Sequence, residues 1–526
     1  MMDPLVMLTG PDGPFEIVTE EVRGVPLQVY KNRMGSMRDL IALAEARGDV
    51  DWVVQGGRRV TYAQHNAAVR VVARALVDRG VGRGDRVALL SANNPEWVVT
   101  FWACAAASAI CVPLNAWWKA EELQFALEDS GAKVLICDER RWDVVKHLPE
   151  VLPALEQVYV IGSEAPGATA LPFSELDGGA DPGAGPEVER GNAPPAELSG
   201  GTQPAALLVV PLFHTTGCHA TMVIQYAAGG KLVLMPPGRF EPEEAMQLIQ
   251  DERVSNIGGV PTIMWRIIES PRLGEFDLSS VTRIGYGGAP SAPELVQRVA
   301  DAFPNARAGL STAYGLTESA SVATANVGED YITHPGSAGR AVPSIELRIA
   351  DVSGDEVPPG AAGEIWLKGP TISSHGYWNR PDANAESFTG GWFHTGDVGK
   401  VDDDGYLYIV DRAKDMVIRA GENIYCVEIE NVLYEHPEII DAAVVGVPHR
   451  TLGEEVKAVV QLRPGSTVTV EDIKAFCAAR LAAFKVPEYV ELVDEPLPRN
   501  PAGKILKAAL RGGETAFGVE ESDSAL

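Results

Sequence analysis

A chain of 526 residues is long enough for more than one buried core, and 46% hydrophobic with 22% charged residues is the balance of a soluble globular enzyme. The formal net charge of −28 argues against a general binder of nucleic acid or anionic membrane, and leaves room only for a local basic pocket. Six scattered cysteines (Cys104, Cys111, Cys137, Cys218, Cys426, Cys477) show no Cys-x-x-Cys spacing, which fits a cytoplasmic location and argues against a disulfide framework or zinc site.

Met1 to Lys31 mixes acidic residues, Pro and Gly, unlike a signal peptide. Thr61 with Gln64 forms a capping box, and Val69, Val72, Ala73 and Leu76 recur at helical spacing until Gly80. Arg86–Leu90, Val134–Cys137 and Val158–Ile161 read as short strands between helices, the alternation of a layered α/β domain. Trp97 to Trp118 carries no charge, which raises a membrane span. Its Ala and Ser content, Pro113 and Asn115 predict instead a buried helix running into a buried strand, with no integral membrane span. Ser163 to Pro204, rich in Gly, Pro, Ala and acidic residues, reads as a flexible surface excursion. Lys231–Met235 and Arg283–Tyr286 continue the strand pattern, and Ile345 to Ile409 reads as a β-rich subdomain with many Gly turns. A compact α/β unit follows Asp415, and Gly512–Leu526 reads as an acidic frayed tail.

Several motifs stand in order along this frame. Tyr286-Gly287-Gly288-Ala289-Pro290 follows a strand, where small residues let a flat ring approach the backbone; alone it is equally a tight strand-to-loop turn. Ser311-Thr312-Ala313-Tyr314-Gly315-Leu316-Thr317-Glu318 comes next, then Gly363-Glu364-Ile365 and Gly376-Tyr377-Trp378-Asn379-Arg380-Pro381, two motifs that read as mainly architectural. Gly390 to Asp397 reads Gly-Gly-Trp-Phe-His-Thr-Gly-Asp, and Asp411-Arg412-Ala413-Lys414-Asp415 precedes Gly421-Glu422-Asn423-Ile424-Tyr425. Near the end, Pro498-Arg499-Asn500-Pro501-Ala502-Gly503-Lys504 would hold an exposed loop presenting Lys504 as a point charge.

Together these motifs resemble the adenylate-forming acyl-CoA synthetase superfamily, from Thr61 to Lys504. The resemblance implies a large N-terminal domain of layered α/β subdomains plus a β-rich subdomain (1–410), a hinge (411–414) and a small mobile C-terminal α+β domain (415–526). It implies ATP with Mg2+ as cofactors, CoA as cosubstrate and a small carboxylic acid as substrate, joined through an acyl-adenylate; a homodimer is left open and nucleic acid is not expected. In the family the matching Tyr314 stacks on adenine beside Gly287, Gly288, Ala289, Pro290 and Gly315. Thr317 meets the nucleotide phosphate, Glu318 helps hold magnesium, Asp397 and Arg412 bracket the ribose, and Lys504 enters during adenylation. Carboxylate and phosphate oxygens suit a hard cation. Lys414 would be the hinge pivot, with Arg419-Ala420-Gly421 near the pantetheine path; many relatives have Gly where this chain has Ala420.

At the acyl end, Pro211 to Gly217 matches the segment flanking the carboxylate pocket. His214 reads either as its gate or as a hydrogen-bonded histidine at a strand end. Gly258, Gly259, Gly285 and Gly287 would leave room for an alkyl chain, favouring a medium- or long-chain fatty acid. Relatives carry a Ser-Gly-Thr-Thr-Gly-x-Pro-Lys-Gly phosphate loop ahead of Pro211, and this chain has none there. Glu197 to Pro204 offers hydroxyls and Gly amides but no Lys, and reads as a linker or a small anion nest. Three expectations follow: a full fatty acid–CoA ligase, an adenylation-impaired paralogue that binds nucleotide or acyl-adenylate, or a ligase loading a carrier protein.

Overall fold

The computed structural model describes residues 4–178, 203–287, 293–372, 375–412, 415–419, 422–500 and 504–511. The capping box closes as expected: Gln64 N donates to Thr61 Oγ1 at 3.2 Å and Thr61 N to Gln64 Oε1 at 2.9 Å, opening the helix Tyr62–Asp78. Its apolar stripe and the helix Pro95–Ala107 fill the space between two sheets, because one shared core contains Val87, Leu89 and Ile136 from one sheet and Leu208, Leu232 and Leu234 from the other. Two further cores cover the outer faces of these sheets, so both sheets are buried on both sides, as parallel strands require.

The first sheet is five-stranded and parallel, in the order Ile110–Pro113, Arg86–Leu90, Val134–Asp138, Gln157–Ile161, Leu171–Pro172. Two expectations are corrected here. The strand after the uncharged helix is an edge strand with Ile110 47% exposed, because Ser108 turns the chain with a left-handed φ of 59° and delivers it to the rim. The excursion read from Ser163 begins as ordered chain: Leu171–Pro172 completes the sheet, and Phe173 and Leu176 are buried in the shared core. Two large apolar side chains in a polar stretch suffice to dock it. Residues 179–202, with most of the Glu197–Pro204 segment, lie outside the described residues, as does the 512–526 tail.

The second sheet has nine strands, in the order Arg340–Ala341, Thr324–Val327, Leu310–Tyr314, Arg283–Gly287, Asn256–Gly259, Ala205–Leu208, Lys231–Leu234, Asp51–Gln55, Arg58–Thr61. It is parallel from Leu310–Tyr314 through Asp51–Gln55 and antiparallel at both ends. The β-rich subdomain is an antiparallel sheet of Glu346–Ala350, Gly363–Lys368 and Trp392–Val401, with Phe388–Thr389 and Leu407–Arg412 both paired to the last. It docks on the large sheet through a core that joins Tyr314 and Ala323 to Ile365, Leu367 and Phe393. The expected boundary near 410 falls within the strand Leu407–Arg412. Past it, Val417–Arg419, Gly453–Leu462, Ile439–His449 and Tyr489–Val493 build a separate small sheet around its own core. Among the described residues no helix is long and apolar enough to cross a membrane, and the six cysteines are unpaired.

One buried ion cluster staples the far edge of the nine-stranded sheet. Glu252 ends the helix Pro242–Glu252; it receives Arg59 Nη1 and Nη2 at 2.7 and 2.9 Å and Lys231 Nζ at 2.6 Å. Burial pushes its carboxyl up, but the bonds from Arg59 and Lys231 outweigh burial and hold it down at about 2. This depressed folded value stabilises the protein above the unfolded carboxylate range, and that stability is lost as pH falls from about 4.3 toward 2. Glu252→Gln should therefore cost about 3 kcal/mol in urea unfolding at pH 7, because Lys231 loses its counter-charge and the half-buried Arg59 keeps only Asp51. The gap to the parent protein should narrow as the same titration is repeated at pH 4 and below.

Candidate active site

The strands Leu310–Tyr314, Arg283–Gly287, Asn256–Gly259 and Ala205–Leu208 all run parallel, so their carboxyl ends open on one edge of the sheet. Ligands of open α/β sheets bind along that edge. The residues singled out from the sequence collect there: Tyr314 and Gly315, Gly287, Gly258, and the Pro211–His214 segment. Asn93 pins that last segment, donating from Nδ2 to Val210 O at 3.0 Å and accepting from Leu212 N at 2.8 Å.

The β-rich subdomain contributes Asp397 from a bulge. Glu364 pairs with Val398 and Trp366 with His394, so three residues, Thr395, Gly396 and Asp397, oppose the single Ile365. Gly396 sits at φ 71°, a value that favours glycine. Thr395 Oγ1 donates to Ile365 O at 2.7 Å, and Gly396 N donates to Glu364 Oε1 at 2.9 Å. Glu364, read from sequence as architectural, is thus the brace of this turn, and its other oxygen accepts Trp366 Nε1 at 2.8 Å. Asp397 is 4% exposed. The Tyr314 hydroxyl donates to its Oδ2 at 2.7 Å, and Arg412 Nε lies 3.1 Å from its Oδ1. Burial, and then the Asp397 charge, push the Tyr314 phenol well above its usual range, so it stays a donor.

After Tyr314 the chain makes a tight turn. Ser319 Oγ accepts Leu316 N at 2.9 Å, and Ala320 and Ser321 have φ of 54° and 129°. A β-carbon at Gly315 would overlap the Ser321 carbonyl oxygen. The turn leaves Thr317 exposed and Glu318 half-buried, with Glu318 Oε1 accepting the Tyr377 hydroxyl at 2.8 Å.

Lys504, distant in sequence, arrives beside this group. Its backbone is pinned reciprocally to Asn500: Lys504 N donates to Asn500 Oδ1 at 2.9 Å, and Asn500 N to Lys504 O at 2.8 Å. Burial, then the Arg412 charge, lower the pKa of its ammonium, while Asp397 and Asp415 act in the opposite sense. Farther along, Lys507 Nζ sits 2.8 Å from Glu430 Oε1, and upstream Arg499 Nη2 sits 2.5 Å from Asp441 Oδ2, so the loop is tied down on both flanks. Arg419 lies elsewhere on the small domain, with Nε 2.7 Å from buried Glu455. Gly288, Ala289, Pro290, Lys414, Ala420 and Gly421 lie outside the described residues.

On the neighbouring strands, Gly258, Gly285 and Ser311 stand in register. A β-carbon at Gly285 would come 3.0 Å from Ser311 Oγ, and one at Gly258 3.4 Å from Thr221 Oγ1. His214 Nε2 is buried and has no hydrogen-bond partner among the described residues, and burial lowers its pKa. Its ring lies 4.6 Å from Phe213, whose other neighbour is the exposed Trp117 at 5.2 Å. Trp117 and Thr221 escaped the sequence reading, because nothing in their local pattern sets them apart from ordinary loop and helix residues; Ser311 was visible only as the first residue of the motif that ends at Glu318.

Among the described residues no three His, Cys, Asp or Glu side chains converge as a metal site. Glu318 fits magnesium only as a single carboxylate ligand, its Oε2 having no hydrogen-bond partner among the described residues, with phosphate oxygens and water completing the shell.

Residues 41–197 and 191–378 match the profile of the AMP-binding enzyme family, and residues 428–504 match that of the AMP-binding enzyme C-terminal domain. The chain belongs to this family of adenylate-forming enzymes. It is similar to a feruloyl-CoA synthase from Amycolatopsis (38% identical over 493 residues, 87% of this chain and 95% of that protein). It is also similar to a long-chain-fatty-acid–CoA ligase, FadD13, from Mycobacterium tuberculosis (34% over 486 residues, 86% and 93%). A third relative is a fatty acid–acyl-carrier-protein ligase, ScoC, from Streptomyces coeruleorubidus (33% over 495 residues, 86% and 92%). Among solved structures, ATP-bound MatB from Rhodopseudomonas palustris superposes with a TM-score of 0.78 at 28% identity, covering 90% of this chain and 98% of that one. The AMP-binding enzyme described here is accordingly an acid–thiol ligase working through an acyl-adenylate.

The turn after Tyr314 has no slack. Gly315→Ala should destabilise the AMP-binding enzyme by about 2 kcal/mol, since the obstacle is backbone and cannot rotate away. Calorimetry should show the loss together with a roughly tenfold weaker affinity for AMP, and Ser321→Ala should not rescue it.

Proposed function

We propose that this enzyme joins a free carboxylic acid to CoA in two half-reactions at the edge where Asp397, Arg412 and Lys504 meet. In the first, an acid oxygen attacks the α-phosphorus of ATP and pyrophosphate leaves. In the second, the CoA thiolate attacks the adenylate carbonyl and AMP leaves, giving the thioester. Asp397 accepts the ribose hydroxyls with Arg412 alongside, and Tyr314 presents its ring to adenine together with Gly287 to Pro290 and Gly315. Thr317 contacts phosphate. Magnesium, held by Glu318, would neutralise phosphate charge. Lys504 meets the charge that builds at the α-phosphate, a use of preorganised charge that speeds phosphoryl chemistry. The small domain then turns about Lys414 and brings Arg419, Ala420 and Gly421 toward the pantetheine. The observation that supports this reading is the Arg412–Asp397 pair at 3.1 Å, whose two charges both act on the ammonium of the half-buried Lys504 from the small domain.

His214, Gly258 and Gly285 line the acid pocket in this reading, and the glycine row supports a medium- or long-chain fatty acid. An arylpropenoic acid is the second reading, favoured by the Trp117–Phe213–His214 ring series, the hydroxyls beside both glycines and the feruloyl-CoA synthase relative. We infer too that the phosphate loop is absent. The family match breaks into two stretches that overlap at 191–197, which supports a discontinuity there. Its absence bears on the first half-reaction, because the second makes no pyrophosphate contact.

The test is acid-dependent ATP–pyrophosphate exchange with magnesium, run with fatty and hydroxycinnamic acids, beside thioester formation from synthetic acyl-adenylate with CoA or a carrier protein. Exchange with one acid class identifies the substrate. Thioester formation without exchange would leave a half-reaction enzyme and sink the full-ligase reading. Lys504→Ala should lower exchange by about 10²- to 10³-fold while changing thioester formation from supplied adenylate by less than about tenfold.

A further inference from the structure

Tyr377 belongs to a motif that the sequence marks as architectural, yet its hydroxyl reaches the candidate metal carboxylate. It donates to Glu318 Oε1 at 2.8 Å. The geometry around it is over-determined. Tyr377 N donates to Asn384 Oδ1 at 2.6 Å, and Asn384 Nδ2 returns a bond to Tyr377 O at 2.9 Å. Gly376 holds φ 67°, and a β-carbon there would overlap the Asn384 side chain. On the other flank, Trp378 Nε1 donates to Asp129 O at 3.2 Å, and Arg380 Nη2 sits 2.7 Å from Asp129 Oδ1. Arg86 covers the Trp378 ring at 5.6 Å. Asp129 lies on the helix Ala120–Ser130, which packs on the outer face of the first sheet. A single turn therefore links the first sheet to Glu318 at the end of the second.

We propose that Tyr377 is a positioning residue for Glu318: its hydroxyl fixes one carboxylate oxygen so that the other is presented to the metal on the bound nucleotide. A free glutamate side chain samples several rotamers and can swing both oxygens toward a cation. Magnesium demands near-ideal octahedral geometry, so a carboxylate held from behind is a better ligand than a mobile one. Groups that hold a metal ligand from behind are commonly worth ten- to a hundredfold in metal affinity. This inference rests on the reading of Glu318 as the metal ligand.

The experiment is a titration of Mn2+ into protein with ATP, followed by the EPR signal of free Mn2+, for the parent, Tyr377→Phe, Glu318→Gln and the double variant, with circular dichroism confirming each fold. Tyr377→Phe should weaken ATP-dependent Mn2+ binding about tenfold, and should add nothing further in the Glu318→Gln background. In exchange assays the Mg2+ concentration for half-maximal rate should rise by a similar factor while the rate at saturating Mg2+ falls less. Unchanged Mn2+ affinity in Tyr377→Phe, with Glu318→Gln impaired, would overturn the positioning role alone. A Tyr377→Phe loss of equal size in both backgrounds would mean general loosening and overturn it as well. Glu318→Gln binding Mn2+ like the parent would remove the metal-ligand reading and this inference with it.

Discussion

The buried carboxylate of Asp397 is the constraint around which the other parts of the site are arranged. A carboxylate at 4% exposure is costly unless it is met by donors. Here the donors come from different units: the phenol of Tyr314 from the end of the nine-stranded sheet, and the guanidinium of Arg412 from the last strand of the β-rich sheet. Removing the bulge that aims Asp397 would leave Tyr314 and Arg412 facing nothing. The apolar contacts between the two sheets, Tyr314 and Ala323 against Ile365 and Phe393, hold the distance at which the phenol reaches. Sheet docking and site geometry are thus one problem, and Arg412 carries it to the start of the small domain.

The same logic orders the supports. Glu364 touches no candidate ligand position; it accepts the Gly396 amide and keeps the bulge in shape. Asp411 is 3% exposed and caps the small domain's first helix, Cys426–Tyr434, by accepting the Cys426 amide at 2.5 Å, besides the Arg412 amide at 2.7 Å. One strand end therefore carries both Arg412, the partner of Asp397, and the residue that seats the next domain.

Much of this frame is legible in the chain because it depends on local chemistry. The capping box at Thr61, the helical stripe to Leu76 and the strand runs at Arg86, Val134 and Arg283 are short-range signals, and each forms as read. Edge placement is different. Ile110–Pro113 has the composition of a buried strand, and only its neighbours in space make it a rim. Leu171 to Leu176 was masked by surrounding Gly and Pro, although two apolar side chains dock it. Motif order could locate Asp397, Arg412 and Lys504 on the chain but not their mutual approach, which depends on long-range packing. Glu364 and Tyr377 were visible as motif members, while their partners, Gly396 on the neighbouring strand and Glu318 in a distant turn, are contacts that no periodicity encodes.

An acidic protein that takes polyanionic substrates must solve a local charge problem. The cations flanking the Lys504 loop are committed: Arg499 to Asp441, Lys507 to Glu430 and Arg511 to Asp415. Each such pair adds little to the field felt by an incoming phosphate. Lys504 differs, since among the described residues its ammonium forms no ion pair, and burial and the neighbouring Arg412 both disfavour its charge. Both disfavouring effects weaken in the presence of a phosphate: its oxygens replace lost hydration, and its negative charge offsets Arg412. Under the proposed role, the interaction is therefore weakest in the empty site and strongest where negative charge is greatest. That is the differential a catalyst needs, because only an interaction stronger in the transition state than before it lowers the barrier. The paired flanks matter for the same reason. They hold the loop without competing for the phosphate, so the lysine is already in place when charge develops and no reorganisation is required of it.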